Sequence, residues 1–136
     1  MPYWFQYLED HNAIYFCFNN CESTKEKPFS DFLKELWTAV ETKKPDKLII
    51  DLRNNFGGTN DYLQPLIDGI ILQKEINRKG YLFVMTGRKT FCAAMHCATW
   101  IEKVANPVFI GYSVFEADDS FLKSHMIILM QPKIMN

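Results

Sequence analysis

Lys47-Leu48-Ile49-Ile50-Asp51-Leu52 is a short apolar run with no polar alternation beyond Asp51, and it leads straight into Arg53-Asn54-Asn55-Phe56-Gly57-Gly58. A run of this length predicts a strand covered on both faces, the habit of parallel sheets. Parallel strands must be joined by crossovers, most often helices. The flanking sequence supplies them. Pro28 starts one helix, in which Phe29, Phe32, Leu33, Leu36, Trp37 and Val40 recur at helical spacing until Lys43-Lys44-Pro45. Leu63, Leu66, Ile67, Ile70 and Ile71 predict a second helix over Asp61 to Glu75. A third is expected from Thr90 to Val104, with Asn106-Pro107 breaking it. Between them, Ala13 to Phe18, Tyr81 to Met85 and Val108 to Ile110 read as strands, and Asn77 to Gly80 as a turn. The alternation of strand and helix predicts a mostly parallel α/β sheet with flanking helices and right-handed crossovers.

Little else in the chain competes with that architecture. Its 136 residues suffice for one core domain. The net charge of -1 offers nothing to draw a nucleic acid or an anionic membrane. No apolar run reaches the length of a membrane span. Met1 to Asp10 lacks a basic segment followed by an apolar stretch, so no secretory signal is expected and the cytoplasm is the default compartment. Cys17, Cys21, Cys92 and Cys97 follow no zinc spacing, and reduced thiols with no metal or cofactor are expected.

Two segments carry chemistry. A Gly57-Gly58 turn after a strand can aim backbone N–H groups outward, because glycine tolerates positive φ and close approach. In Thr90-Phe91-Cys92-Ala93-Ala94, a cysteine enters the first turn of a helix, where unpaired N–H groups and positive potential stabilise an anion. Thr90 is the expected N-cap. Together the segments form the two halves of an acyl-transfer site, an oxyanion hole and a nucleophile. Asp51 and Arg53 share a strand face and can pair, stapling the loop. His96 lies four residues after Cys92 on the same helix face. A Cys–His pair is conceivable there, but a plain surface or core histidine is the commoner reading. His11 and His125 carry no argument.

Asp51-Leu52-Arg53-Asn54-Asn55-Phe56-Gly57-Gly58 resembles the D-L-R-x-N-P-G-G signature of carboxyl-terminal-processing (tail-specific) serine peptidases. Thr90-Phe91-Cys92-Ala93-Ala94 is similar to their T-x-S-A-A nucleophile segment, and Gly111 falls where their G-E-x-T-x-G segment begins. The resemblance covers roughly Ala13 to Gly111. It implies a Clp-protease/crotonase-like βαβ spiral, peptide or unstructured protein substrates, and hydrolysis through an acyl-enzyme. Carried over by position, it implies Cys92 as nucleophile and Gly57, Gly58 and Ala93 as oxyanion-hole donors.

The departures from the pattern concern catalysis. Cysteine replaces the serine, Phe56 replaces the proline, and Tyr112-Ser113-Val114 replaces Glu-x-Thr. Where the family's general-base lysine should follow the nucleophile, the chain reads Ala117-Asp118-Asp119, and Lys123 is the nearest candidate. The expectation is one core domain over residues 1–136, shortened after about residue 111, with weak or absent peptidase activity. The alternative is a non-catalytic peptide-binding module on the same scaffold. Oligomeric state is left open.

Overall fold

The computed structural model describes residues 1–111. Lys123 and His125 lie outside them. The order is β1 (Tyr3–Leu8), β2 (Ala13–Phe18), α1 (Phe29–Lys43), β3 (Lys47–Asp51), α2 (Leu63–Leu72), β4 (Leu82–Thr86), α3 (Ala93–Val104) and β5 (Val108–Gly111). The five strands form one mixed sheet in the order β1-β2-β3-β4-β5. Strands β2 to β5 run parallel, and β1 pairs antiparallel with β2.

β1 was not anticipated. Its Tyr-Trp-Phe-Gln-Tyr-Leu run is aromatic enough for a strand, and its antiparallel pairing with β2 places it at the edge of the sheet. A three-residue helical turn, Glu9–His11, and Asn12 at φ 45° reverse the chain between β1 and β2.

Each later strand lies beside its predecessor, so every crossover steps in the same direction. Crossovers of one hand that never reverse direction place their helices on one face of the sheet. The packing agrees. Ile14, Phe16 and Phe18 of β2, Leu48 and Ile50 of β3, Leu82 and Val84 of β4, and Phe109 of β5 share one buried cluster with residues of all three helices. The alternate residues, Phe83, Met85, Val108 and Ile110 with Ile49 against them, form a second, smaller cluster. Successive side chains of a strand point to opposite faces, so this second cluster lies on the face away from the helices. Two apolar faces explain why β3 reads as a continuous apolar run.

Two helix boundaries differ from expectation. The second helix is shorter than Asp61 to Glu75. A 3-10 turn, Asn60–Tyr62, precedes it, with Thr59 Oγ1 accepting from Asp61 N at 3.2 Å. At the other end, Gln73 leaves helical geometry, and Ile76 turns back into the core, 2% exposed. The third helix begins at Ala93, not Thr90. Among the described residues no helix is long and apolar enough to cross a membrane.

Candidate active site

In open parallel sheets, functional groups collect beyond the carboxyl ends of the strands. Here β3 and β4 are neighbours, and both site segments leave from those ends. The loop after β3 carries Gly57 and Gly58; the loop after β4 carries Cys92. A Cβ built on Gly57 would stand 2.7 Å from the Cβ of Cys92, so the two turns are in contact. The sequence expectation that these segments meet is therefore met in space.

The Asp51–Arg53 staple is present as expected. Asp51 is 3% exposed, and its carboxylate accepts from Arg53 N (3.0 Å), Arg53 Nε (3.0 Å), Arg53 Nη2 (2.8 Å) and the Tyr15 hydroxyl. Burial pushes the Asp51 carboxyl up, but the Arg53 side-chain bonds, then Tyr15 and the Arg53 backbone, outweigh it and hold the group below its ordinary value. Burial and the same bond keep the Tyr15 phenol protonated. A carboxyl lowered on folding stabilises the protein above its unfolded pKa, and that contribution fades as pH falls through its folded value. Asp51→Asn should therefore cost about 1–3 kcal/mol at neutral pH, discounted because Arg53 is half-exposed. The gap in urea midpoint between parent and variant should close as the pH is lowered into the acid range; a gap independent of pH would refute the assignment.

Asn55 does more than the sequence indicated. It is fully buried, donates from Nδ2 to Phe18 O at 3.0 Å and accepts at Oδ1 from Gly57 N at 2.8 Å. Its own carbonyl accepts from Phe91 N at 3.1 Å. One residue thus ties the end of β2, the glycine turn and the approach to α3. The sequence signal was there: an Asn two residues before Gly-Gly, inside an apolar surround, is the pattern of a side chain that bonds its own turn.

Thr90 is not an N-cap. Its Oγ1 accepts from Gly87 N at 2.9 Å and donates to Leu52 O at 2.7 Å, closing the β4 loop onto the end of β3. The N-cap position belongs to Cys92, with φ 52° and ψ -122°. Ala94 N donates to Phe91 O at 3.1 Å across it. These are the dihedrals of the first central residue of a type II′ turn, a place that favours glycine. A side chain held there is strained, and such strain collects at functional sites. The result is an exposed Cys92 side chain at the entrance of α3, while Cys17, Cys21 and Cys97 are buried and all four thiols are free. Burial pushes the Cys21 thiol up to about 11 against a hydrogen bond from its Sγ to Asn55, and pushes Cys97 up as well.

Gly57 N is spent on Asn55. Neither Gly58 N nor Ala93 N has a hydrogen-bond acceptor among the described residues. Gly58, Thr59, Asn60, Asp61, Cys92, Ala93 and His96 line an open cleft of about 580 Å³. Phe56 and Phe91, the residues before Gly57 and Cys92, are 61% and 59% exposed. At the opposite end of the sheet a depression of about 630 Å³ is lined by charged groups and by no cysteine, serine or threonine; Arg78 there lies 3.8 Å over the Tyr81 ring.

Solved structures with a similar fold include an S41-assigned protein and a C-terminal processing protease, both at low identity and over part of their length. An S41-assigned protein from Bacteroides fragilis aligns with a TM-score of 0.57 at 18% identity, over 80% of this chain and 37% of its own. The photosystem II D1 C-terminal processing protease aligns with a TM-score of 0.55 at 14% identity, over 73% of this chain and 30% of its own. A lipoprotein from Streptococcus agalactiae shares the fold as well, with a TM-score of 0.57 at 17% identity, over 82% of this chain and 49% of its own. The chain thus spans less than half the length of each. No protein-family model matches the sequence, and no curated protein does.

Proposed function

We propose that this domain is a tail-specific peptidase-like protein, built as a Clp-protease/crotonase-like spiral, that binds extended peptide and accepts an acyl group on Cys92. The observation that carries the reading is the convergence of the glycine turn on an exposed, backbone-strained Cys92 at the start of α3. Gly58 N and Ala93 N are the donors offered to the carbonyl oxygen, because Gly57 N is already committed. Phe56 and Phe91 offer apolar surface to flanking side chains of the peptide. Serine in this place would match the peptidase signature that the sequence resembles; cysteine gives the same attack through sulfur and leaves a thioester. Low turnover is part of the reading, since no lysine lines the cleft among the described residues.

A peptide bearing a thiol-reactive electrophile at its carboxyl end tests it. Incubation should label one residue per chain, Cys92, faster than a small alkylating agent of equal intrinsic reactivity does. An unlabelled peptide of the same sequence should protect the site. Labelling no faster than that of the small reagent, or without protection by peptide, would sink the peptide-site reading. The non-catalytic alternative is favoured by one observation: Cys92 Sγ makes no hydrogen bond among the described residues. It predicts protection by peptide without any thioester formed from an activated peptide ester.

A further inference from the structure

We infer that His96 is the general base of this site, taking the Sγ proton of Cys92 as the sulfur attacks; the inference rests on the acyl-transfer reading above. Both residues line the same cleft. His96 N donates to Cys92 O at 3.1 Å, so the first turn of α3 fixes one residue above the other. Side chains on a helix lean toward its N-terminus, over the turn before their own Cα. For His96 that turn is the one carrying Cys92. The imidazole is exposed and has no hydrogen-bond partner among the described residues; its ring neighbour is Trp100, centroids 5.7 Å apart. Asp61, from the 3-10 turn after the glycines, lines the cleft as well and brings a carboxylate suited to an imidazolium. Besides the thiol, His96 and Asp61 are the titratable side chains lining the cleft among the described residues.

The step balances without a further reactant. Cys92 Sγ bonds to the substrate carbonyl carbon, and its proton passes to an imidazole nitrogen of His96. The scissile C–N bond breaks, and the imidazolium returns that proton to the departing amine. A thioester on Cys92 and a new amino terminus result. Water then hydrolyses the thioester and restores the thiol. A base role is worth on the order of 10²–10⁴ in rate.

The test follows acylation of Cys92 by an activated peptide ester, and its alkylation by iodoacetamide, in the whole chain and in His96→Gln. The residue is exposed, so the variant should keep the parent's circular dichroism and thermal midpoint. Acylation should slow by about 10²-fold or more in His96→Gln near neutral pH. Alkylation should slow too at mildly acidic pH, and the two proteins should converge as hydroxide becomes able to take the proton unaided. A ratio independent of pH would mark a merely structural role. Equal acylation in both proteins would overturn the inference while leaving Cys92 as acceptor. Absence of acylation in the parent, with normal alkylation in both, would instead sink both readings.

Discussion

Gly58→Ala is expected to destroy the site and much of the fold's stability with it. The backbone there has φ +139°, a conformation that L side chains rarely adopt. The added Cβ would stand 2.4 Å from Cys21 O and 2.9 Å from Cys21 C, which are backbone atoms. Cys21 cannot retreat cheaply, because its N–H donates to Gly57 O at 2.8 Å and its carbonyl accepts from Thr59 N at 2.9 Å. Strained φ and an overpacked contact each cost about 1–3 kcal/mol, so a loss of roughly 2–6 kcal/mol is expected. Against a typical stability of about 5–15 kcal/mol, that can unfold the domain. Gly80→Ala is the control: its φ is also positive, +88°, but no atom lies within 4 Å of the new Cβ. It should cost about 1–2 kcal/mol. Urea denaturation of the two variants checks the ordering, and equal losses would show that the contact with Cys21 is unimportant.

The second large effect is chemical. Cys92→Ser should fold like the parent yet acylate on the order of 10²–10⁴ more slowly, since a hydroxyl is far less acidic than a thiol and depends more heavily on a well-placed base. Placing serine, the nucleophile of the peptidases whose signature the sequence resembles, at this position should therefore leave peptide hydrolysis no faster than in the parent. The measurement is release of product from an unstructured peptide, with a serine-directed inhibitor as a second probe. Faster hydrolysis by the serine variant would mean that the sulfur atom was the only defect.

The parallel core was legible in the sequence because its signals are local and redundant. Lys47 to Leu52 is too short for a helix between its flanking turn signals, and the strand covers Lys47–Asp51; the apolar spacing of α1 places its ends correctly at Phe29 and Lys43. Asp51 and Arg53, two apart on one strand, announce their pairing. β1 escaped because Tyr3 to Leu8 shows no clean alternation, and its pairing with β2 is a tertiary fact. The start of α3 was misplaced for a sharper reason. Threonine ahead of a helix usually caps it, but here Thr90 bonds the Leu52 carbonyl just past the neighbouring strand, a partner 38 residues away. Cys92 was legible as a candidate through the segment around it. Its left-handed backbone was not, because nothing in a cysteine signals positive φ.

Asn55 gives the site a particular mode of failure. The three groups that it joins belong to β2, the glycine turn and the segment entering α3; the side-chain amide holds the first two and the main-chain carbonyl the third, so each loses its partner if that one residue moves. Such a knot does not fray. The amide protons of Gly57 and Phe91 should therefore exchange with solvent at nearly a common rate, as members of one cooperative unit rather than two mobile loops. Nucleophile and carbonyl-binding turn would then be either fully assembled or jointly lost, and the cleft would hold no half-built state in which an exposed thiol faces solvent without the N–H groups beside it.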